Sequence, residues 1–218
     1  MSLNIVYQNV RGLRTKLCDF KQNLSVNYAD IVCVTDSWLN FSIMDHEIVD
    51  LNQYSIFRRD RENTGSKKSD GGGVFIVVKN KFSATVVSEN LSDAEDMWVT
   101  INLDNDRLLL VCCVYLPPDD MAAYTSFSSK MADLSLVDDS YVLVCGDFNL
   151  STTQWLRQGD NRYLDPLHIE QKYSQLIFNL SFHGCIQFND VFNYNNRLFN
   201  LIFFNKNSNN FFSDLWNT

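Results

Sequence analysis

Hydrophobic and polar positions along the chain change period several times, and each change marks an element. Leu3-Asn-Ile-Val-Tyr-Gln-Asn9 has the composition of a strand. Leu17, Phe20 and Leu24 then share one face of a helix predicted over Arg14 to Tyr28, and Ile31 to Thr35 is an unbroken run that suits a buried strand. This is a β-α-β opening. Strands dominate afterwards: Tyr54 to Arg59, Val74 to Lys79, Ala84 to Val87, Met97 to Leu103 and Leu108 to Tyr115, separated by turns rich in Gly, Asn and Asp. Tyr124, Phe127, Met131 and Leu134 recur at helical spacing, a strand over Tyr141 to Cys145 ends at Gly146, a helix covers Glu170 to Leu180, and Leu198 to Phe204 reads as one more buried strand. The Asn-rich tract 189 to 210 is read as polar loops around that strand. Strands framed by a few helices predict two packed sheets with helices outside.

Composition narrows the class. A chain of 218 residues, 45% hydrophobic and 20% charged, is long enough for one well-packed domain, and it shows neither an internal repeat nor a Pro/Ser linker. Its longest apolar stretch, Leu108 to Leu116, is too short for a membrane span, and the N-terminus lacks a basic flank followed by an apolar core. A soluble, untargeted protein without a membrane partner is expected. The cysteines Cys18, Cys33, Cys112, Cys113, Cys145 and Cys185 have no CxxC spacing and mostly sit in apolar runs, which fits buried free thiols in an intracellular, reducing compartment better than zinc or disulfides.

A net charge of −8 argues against a protein that coats nucleic acid, since neutralising phosphates takes clustered Lys and Arg. The distribution softens this. More than half of the 18 basic residues precede residue 82, and the segment Arg58, Arg59, Asp60, Arg61, Glu62, Lys67, Lys68 is locally positive. It reads either as a solvated loop or as a DNA contact. An acidic total also suits carboxylates that hold a divalent cation.

The candidate chemistry lies where buried strands meet loops, positions that are rigid yet reachable by solvent. Asn9 ends the first strand, Asp36 follows the second within Thr35-Asp-Ser-Trp-Leu39, Tyr115 precedes Pro117-Pro118, and Gly146-Asp-Phe-Asn149 ends a fourth. Singly, such residues are usually turn formers or helix caps. Their order carries more. Tyr7-Gln-Asn-Val-Arg-Gly-Leu-Arg-Thr-Lys16, Thr35 to Leu39, Gly71-Gly-Gly-Val74, Val114-Tyr-Leu-Pro-Pro118, Gly146 to Asn149 and Leu198-Phe-Asn-Leu-Ile-Phe203 resemble, over nearly the whole chain, successive blocks of the apurinic-endonuclease-like domain of non-LTR retrotransposons, within the endonuclease/exonuclease/phosphatase family.

The resemblance implies a four-layer α/β sandwich of two packed mixed β-sheets flanked by helices, a single domain over 1–218. It implies a catalytic Mg²⁺ at the strand ends, with Mn²⁺ as a substitute and no small-molecule cofactor, and nicking of one DNA strand to prime a partner reverse transcriptase in the nucleus. Asn9, Asp36 and Asp214 match metal-site positions, although the family has Glu where Asp36 stands, one methylene longer. Tyr115 would hydrogen-bond a phosphate oxygen, and Asn149 would stabilise charge developing at phosphorus. Asp147 would orient or deprotonate the attacking water, or assist the leaving oxygen. DNA contacts are expected from Arg11, Arg14, Arg58, Arg59 and Arg61, whereas Trp38 and Trp155 are read as packing residues.

Two departures weaken the pattern. The family closes on Ser-Asp-His and this chain reads Ser213-Asp214-Leu215, a side chain that neither donates a hydrogen bond nor carries charge. The family's Asp that orients that His is here Asn200. His46, His168 and His183 lie in no motif and read as ordinary histidines. The family's final core strand is also expected to be missing, which would leave a neighbouring edge unpaired. Two functional readings follow: an impaired endonuclease, or a catalytically inactive copy that keeps the fold, functionless or as a nucleic-acid- or protein-binding module. A phosphatase for inositol phosphates or a sphingomyelinase fits the motif blocks less well.

Overall fold

The computed structural model describes residues 3–26, 29–64, 71–103, 107–136, 140–159, 161–193, 195 and 197–205. The first strands, β1 (Ile5–Asn9), β2 (Ile31–Thr35), β3 (Tyr54–Arg59) and β4 (Val74–Lys79), make a sheet in the order β1-β2-β4-β3. The second sheet takes β5 (Ala84–Val86), β6 (Glu95–Asn102), β7 (Leu108–Tyr115), β8 (Tyr141–Asp147), β9 (Gln154–Arg157), β10 (Leu164–His168), β11 (Cys185–Gln187) and β12 (Asn200–Asn205), in the order β5-β6-β7-β8-β12-β11-β10-β9. Both sheets are mixed: β1 runs parallel to β2 and β7 to β8, and the other pairs are antiparallel.

Each parallel pair needs a crossover, and a helix supplies it. Helix α1 (Leu17–Val26) joins β1 to β2, and α3 (Met121–Ala132) joins β7 to β8. A short α2 (Asp45–Ile48) and a longer α4 (Gln171–Phe182) complete the helices. Strands buried on both faces read as continuous apolar runs, which is why β2 and β4 were legible in the sequence. Three apolar layers result. Phe20 and Leu24 of α1 pack with Val32, Val34, Phe75 and Val77 outside the smaller sheet. Cys33, Ile76, Val99, Val111, Leu143 and Cys145 fill the space between the sheets. Tyr124, Phe127 and Met131 of α3, with Leu176 and Leu180 of α4, cover the outer face of the larger sheet over Trp98, Val144 and Phe148. The expected α/β sandwich of two mixed sheets between helices is what forms.

Some boundaries depart from the sequence reading: the first helix is shorter, Leu17–Val26, and the last strand begins at Asn200 rather than Leu198. Strand β6 begins at Glu95, two residues before the apolar run, because Glu95 and Asp96 are buried against arginines. The short strands β9, β10 and β11 were not expected; they are polar or interrupted by Pro166, and pairing with neighbours is what holds them. Strand β1 is an edge of its sheet, and none of its residues is fully buried. The cysteines are free, five of them buried and Cys18 exposed. Among the described residues, no helix is long and apolar enough to cross a membrane.

Candidate active site

Both sheets deliver their polar strand ends to the same rim. In the larger sheet Glu95 opens β6 opposite Tyr115 at the end of β7, Tyr115 pairs with Asp147 at the end of β8, and Asp147 pairs with Asn200 at the start of β12. In the smaller sheet Asn9, the last residue of β1, lies opposite Thr35, the last of β2. The rims are stitched together. Asn9 Nδ2 donates to Asp147 Oδ2 at 2.8 Å, and the Tyr7 hydroxyl donates to Asn200 Oδ1 at 2.9 Å while lying 2.9 Å from Thr35 Oγ1.

The loops leaving these strands are held in a sparsely populated backbone region. Arg11, Asp36, Trp38 and Asn149 have φ of 46°, 57°, 56° and 49°. Non-glycine residues adopt such angles at a cost of about 1–3 kcal/mol each, sustained by the surrounding structure, and they gather at functional sites. Here backbone bonds from Val10 to Thr35, Gly12 to Asp36 and Leu13 to Ser37 lock the two loops side by side. Asp36 Oδ1 accepts the Gly72 N–H at 2.9 Å and the Trp38 indole N–H at 2.7 Å, so among the described residues its Oδ2 keeps no hydrogen bond.

Charge accumulates at this rim with little compensation. Burial pushes the Asp147 carboxyl up to about 6; hydrogen bonds from the Asn149 N–H and the Asn9 amide oppose that, and the nearby Asp36 adds to it. Burial, then Asp36 and Asp147, push the Tyr115 hydroxyl up to about 12, so it stays protonated as a donor. Among the described residues neither Asp36 nor Asp147 forms a salt bridge. Two neighbouring carboxylates, Asp36 and Asp147, with the side-chain amides of Asn9 and Asn149 beside them offer hard oxygen donors, a chemistry that fits a divalent cation such as Mg²⁺ or Mn²⁺. No group of three His, Cys, Asp or Glu residues close enough to hold a metal occurs among the described residues, so a cation here would keep several waters.

The structure therefore brings Asn9, Asp36, Tyr115, Asp147, Asn149 and Asn200 to one rim. Asn149 turns its Nδ2 to the Leu116 carbonyl at 2.9 Å. Arg11 and Arg14 are exposed beside the rim, and Arg14 Nε bonds the Trp38 carbonyl. Asp214 and Leu215 lie outside the described residues, as do Lys67 and Lys68.

Two expectations need correcting. Arg58, Arg59 and Arg61 do not form a solvated basic loop; each is turned inward onto a carboxylate. Arg58 bonds Asp60 at 2.6 Å and Asp45 at 3.3 Å, Arg59 bonds Asp96 at 2.6 Å, and Arg61 bonds Glu95 at 2.8 Å. The reason is desolvation: a carboxylate buried between sheets without a cation would be far costlier than an arginine withdrawn from water. Trp38 does more than pack on Gly12. It is 44% exposed and holds Asp36 through its indole, whereas Trp155 does pack on the outer core against Phe203. Glu95, Tyr7 and Thr35 were missed as site residues, because a charged or polar side chain buried by strand pairing leaves no periodic mark. A cleft of about 810 Å³ starts at Ser151, two residues past Asn149, and runs along Trp155, Leu167, His168, Phe192 and Arg197.

No family model and no curated protein matches the chain. Solved structures do. The endonuclease domain of TRAS1, a telomere-specific non-LTR retrotransposon, superposes with a TM-score of 0.62 at 12% identity, over 93% of this chain and 84% of that one. The AP endonuclease LMAP from Leishmania major gives 0.64 at 11% identity, over 94% and 79%. The 3′ phosphatase NExo from Neisseria, bound to product DNA hairpin, gives 0.58 at 14% identity, over 94% and 87%. At these identities the likeness is one of fold: the chain has the endonuclease/exonuclease/phosphatase fold.

Proposed function

We propose that the chain is a divalent-metal-dependent phosphodiesterase acting on DNA, of the retrotransposon nicking type, with its turnover impaired. The observation that carries this reading is the convergence of Asn9, Asp36, Tyr115, Asp147 and Asn149 from both sheets onto one solvent-reachable rim. The similar fold of nucleases that cleave or bind DNA supports it. Asp36 and Asn9, with Asp214 from the C-terminal segment, would hold Mg²⁺, and a bound ion would polarise the scissile phosphoryl group as a Lewis acid. Asp147 titrates near neutrality, so at pH 7 it is ionised yet basic enough to take a proton from the attacking water. As the water oxygen bonds to phosphorus and the P–O3′ bond breaks, Tyr115 donates to a non-bridging oxygen. Asn149 gives one of its two amide N–H groups to the Leu116 carbonyl and would use the other to do the same. The departing O3′ takes its proton from solvent, since Leu215 offers none. Arg11 and Arg14 contact flanking phosphates, and the cleft beyond Asn149 gives the strand room.

A second reading, an inactive copy that retains the fold, is favoured by Asn200: it stands opposite Asp147 and its Oδ1 takes the Tyr7 hydroxyl, with no carboxylate present to orient a histidine. Plasmid nicking with Mg²⁺ decides between them. Weak cleavage abolished by EDTA and by Asp147→Asn supports the enzyme. Restoring the missing unit with Leu215→His and Asn200→Asp together should raise nicking by more than the product of the single changes, because an oriented base acts as one unit. A folded double variant that nicks no better than the parent supports the inactive copy.

A further inference from the structure

Behind Asp36 lies a buried charge pair that makes no hydrogen bond to Asp36 itself. Glu95 is 1% exposed and Arg61 6%. Glu95 uses one carboxylate to hold two segments: Oε1 accepts Arg61 Nε at 2.8 Å, and Oε2 accepts the Gly73 N–H at 2.5 Å. The residue before, Gly72, lies against this pair so closely that a Cβ there would sit 2.1 Å from Glu95 Oε2 and 2.2 Å from Arg61 Nη2. Its φ is +64°, so both space and backbone require glycine. Pressed onto the pair, Gly72 aims its N–H at Asp36 Oδ1, 2.9 Å away, and its carbonyl takes the Trp38 N–H at 2.8 Å. The Arg61 guanidinium carbon also stands 5.7 Å from the Tyr115 ring centroid.

We propose that Arg61 and Glu95 are positioning residues that, through the Gly71–Gly73 turn, orient the Asp36 carboxylate with Oδ2 presented to the metal. The metal part rests on the reading of Asp36 given above; the orienting part does not. An alternative is that the pair only stabilises the fold, as any buried ion pair does when one partner is removed. The neighbouring pair Arg59–Asp96 provides the comparison. It too has a fully buried carboxylate and lies on the same two strand regions, yet Asp96 accepts from the Trp98 indole and not from the glycine turn.

The experiment compares Glu95→Gln and Arg61→Lys with Asp96→Asn in the full chain, each checked by circular dichroism and read in two ways. Mn²⁺ titration by calorimetry should show a 10- to 100-fold loss of affinity for Glu95→Gln and Arg61→Lys, the usual effect of losing a partner that orients a ligand, and little change for Asp96→Asn. Metal-free ¹H–¹⁵N spectra should show the Trp38 indole N–H, bonded to Asp36, shifted and less protected from exchange in the first two variants; in Asp96→Asn the Trp98 indole should move instead. An unmoved Trp38 resonance in folded Glu95→Gln or Arg61→Lys overturns the proposal, as does an equal loss of affinity across all three variants. If one of the two does not fold, the other decides by the same readouts. A parent chain that binds no Mn²⁺ overturns the metal-site reading, and the Trp38 resonance still decides whether the pair positions Asp36.

Discussion

Asp147 combines two demands that oppose each other. It closes a buried strand, yet a role in proton transfer requires it to ionise. Its carboxyl sits at about 6 against an ordinary 3.8, so the folded state holds the proton over a range where the unfolded chain has already released it. Stability of the metal-free protein should therefore fall as pH rises from about 4 to about 6 and level off above that, by at most ~3 kcal/mol. Urea denaturation in EDTA at pH 4.5, 5.5 and 7 measures this, and Asp147→Asn should lessen the fall while abolishing nicking, the rest coming from Glu95 and Asp96, which burial also raises. Tyr115 makes a complementary case. Its hydroxyl, kept protonated up to about 12, is a donor whose loss in Tyr115→Phe should lower kcat about 10²-fold, the usual effect of removing one hydrogen bond to developing charge. Because the ring stays in place, Mn²⁺ affinity should hardly change.

At the scale of the element, β8 shows how a strand and the candidate site at its end are coupled. Gly146 lies one residue before Asp147 and pairs in parallel register with Val114. A Cβ at Gly146 would meet the Val114 carbonyl oxygen at 1.9 Å, and that atom is backbone and cannot swing aside. Gly146→Ala must then spread β7 from β8 at the rung next to the one that pairs Tyr115 with Asp147. A destabilisation of about 1–3 kcal/mol or more is expected from overpacking, read from the urea midpoint. Nicking at temperatures where the variant is folded should fall more than fraction folded accounts for, since the two site residues move apart. The helix connections are more tolerant: α3 has its own N-cap, with Asp120 accepting the Ala123 N–H at 3.2 Å, and its exposed face carries no site residue.

Across the whole molecule, the sheets meet through an apolar interior and are joined at the rim by ion pairs. Arg59 ends β3 in one sheet and reaches Asp96 of β6 in the other, also donating to the Ser92 carbonyl at 2.7 Å. Asp96 is fully buried, and the Ser92 N–H and the Trp98 indole donate to it. Arg59→Ala would leave that carboxylate without its cation inside the protein. The expected cost is about 3–5 kcal/mol, seen as a lowered urea midpoint, and the loss should be smaller at low pH, where Asp96 takes up a proton; burial already raises its pKa. Low-salt DNA binding measured on the folded fraction should be untouched, in contrast to Arg11→Glu or Arg14→Glu, which change exposed charges beside the site.

What the sequence determined by itself was the set of elements whose signal is local. Unbroken apolar runs identified β2, β4 and β7 at their observed bounds, helical spacing identified α3 and α4, and the polar residue at each strand end identified Asn9, Asp36, Tyr115 and Asp147. Such positions are legible because a strand's burial is written in consecutive residues, and its end is where that burial stops. Tertiary structure decided everything that depends on a partner far along the chain. Arg58, Arg59 and Arg61 read as a surface charge cluster until Asp45, Asp60, Asp96 and Glu95 came within hydrogen-bonding reach. Glu95 lay outside the predicted strand until Tyr115 paired beside it, and the glycine run had no structural reason until Gly72 lay on the Arg61–Glu95 pair. Trp38 read as a packing residue, yet its half-exposed indole also donates to Asp36. Burial of a charge against an opposite charge offsets much of its desolvation, whereas one buried alone keeps the whole penalty, and only the folded arrangement says which of the two a given residue meets.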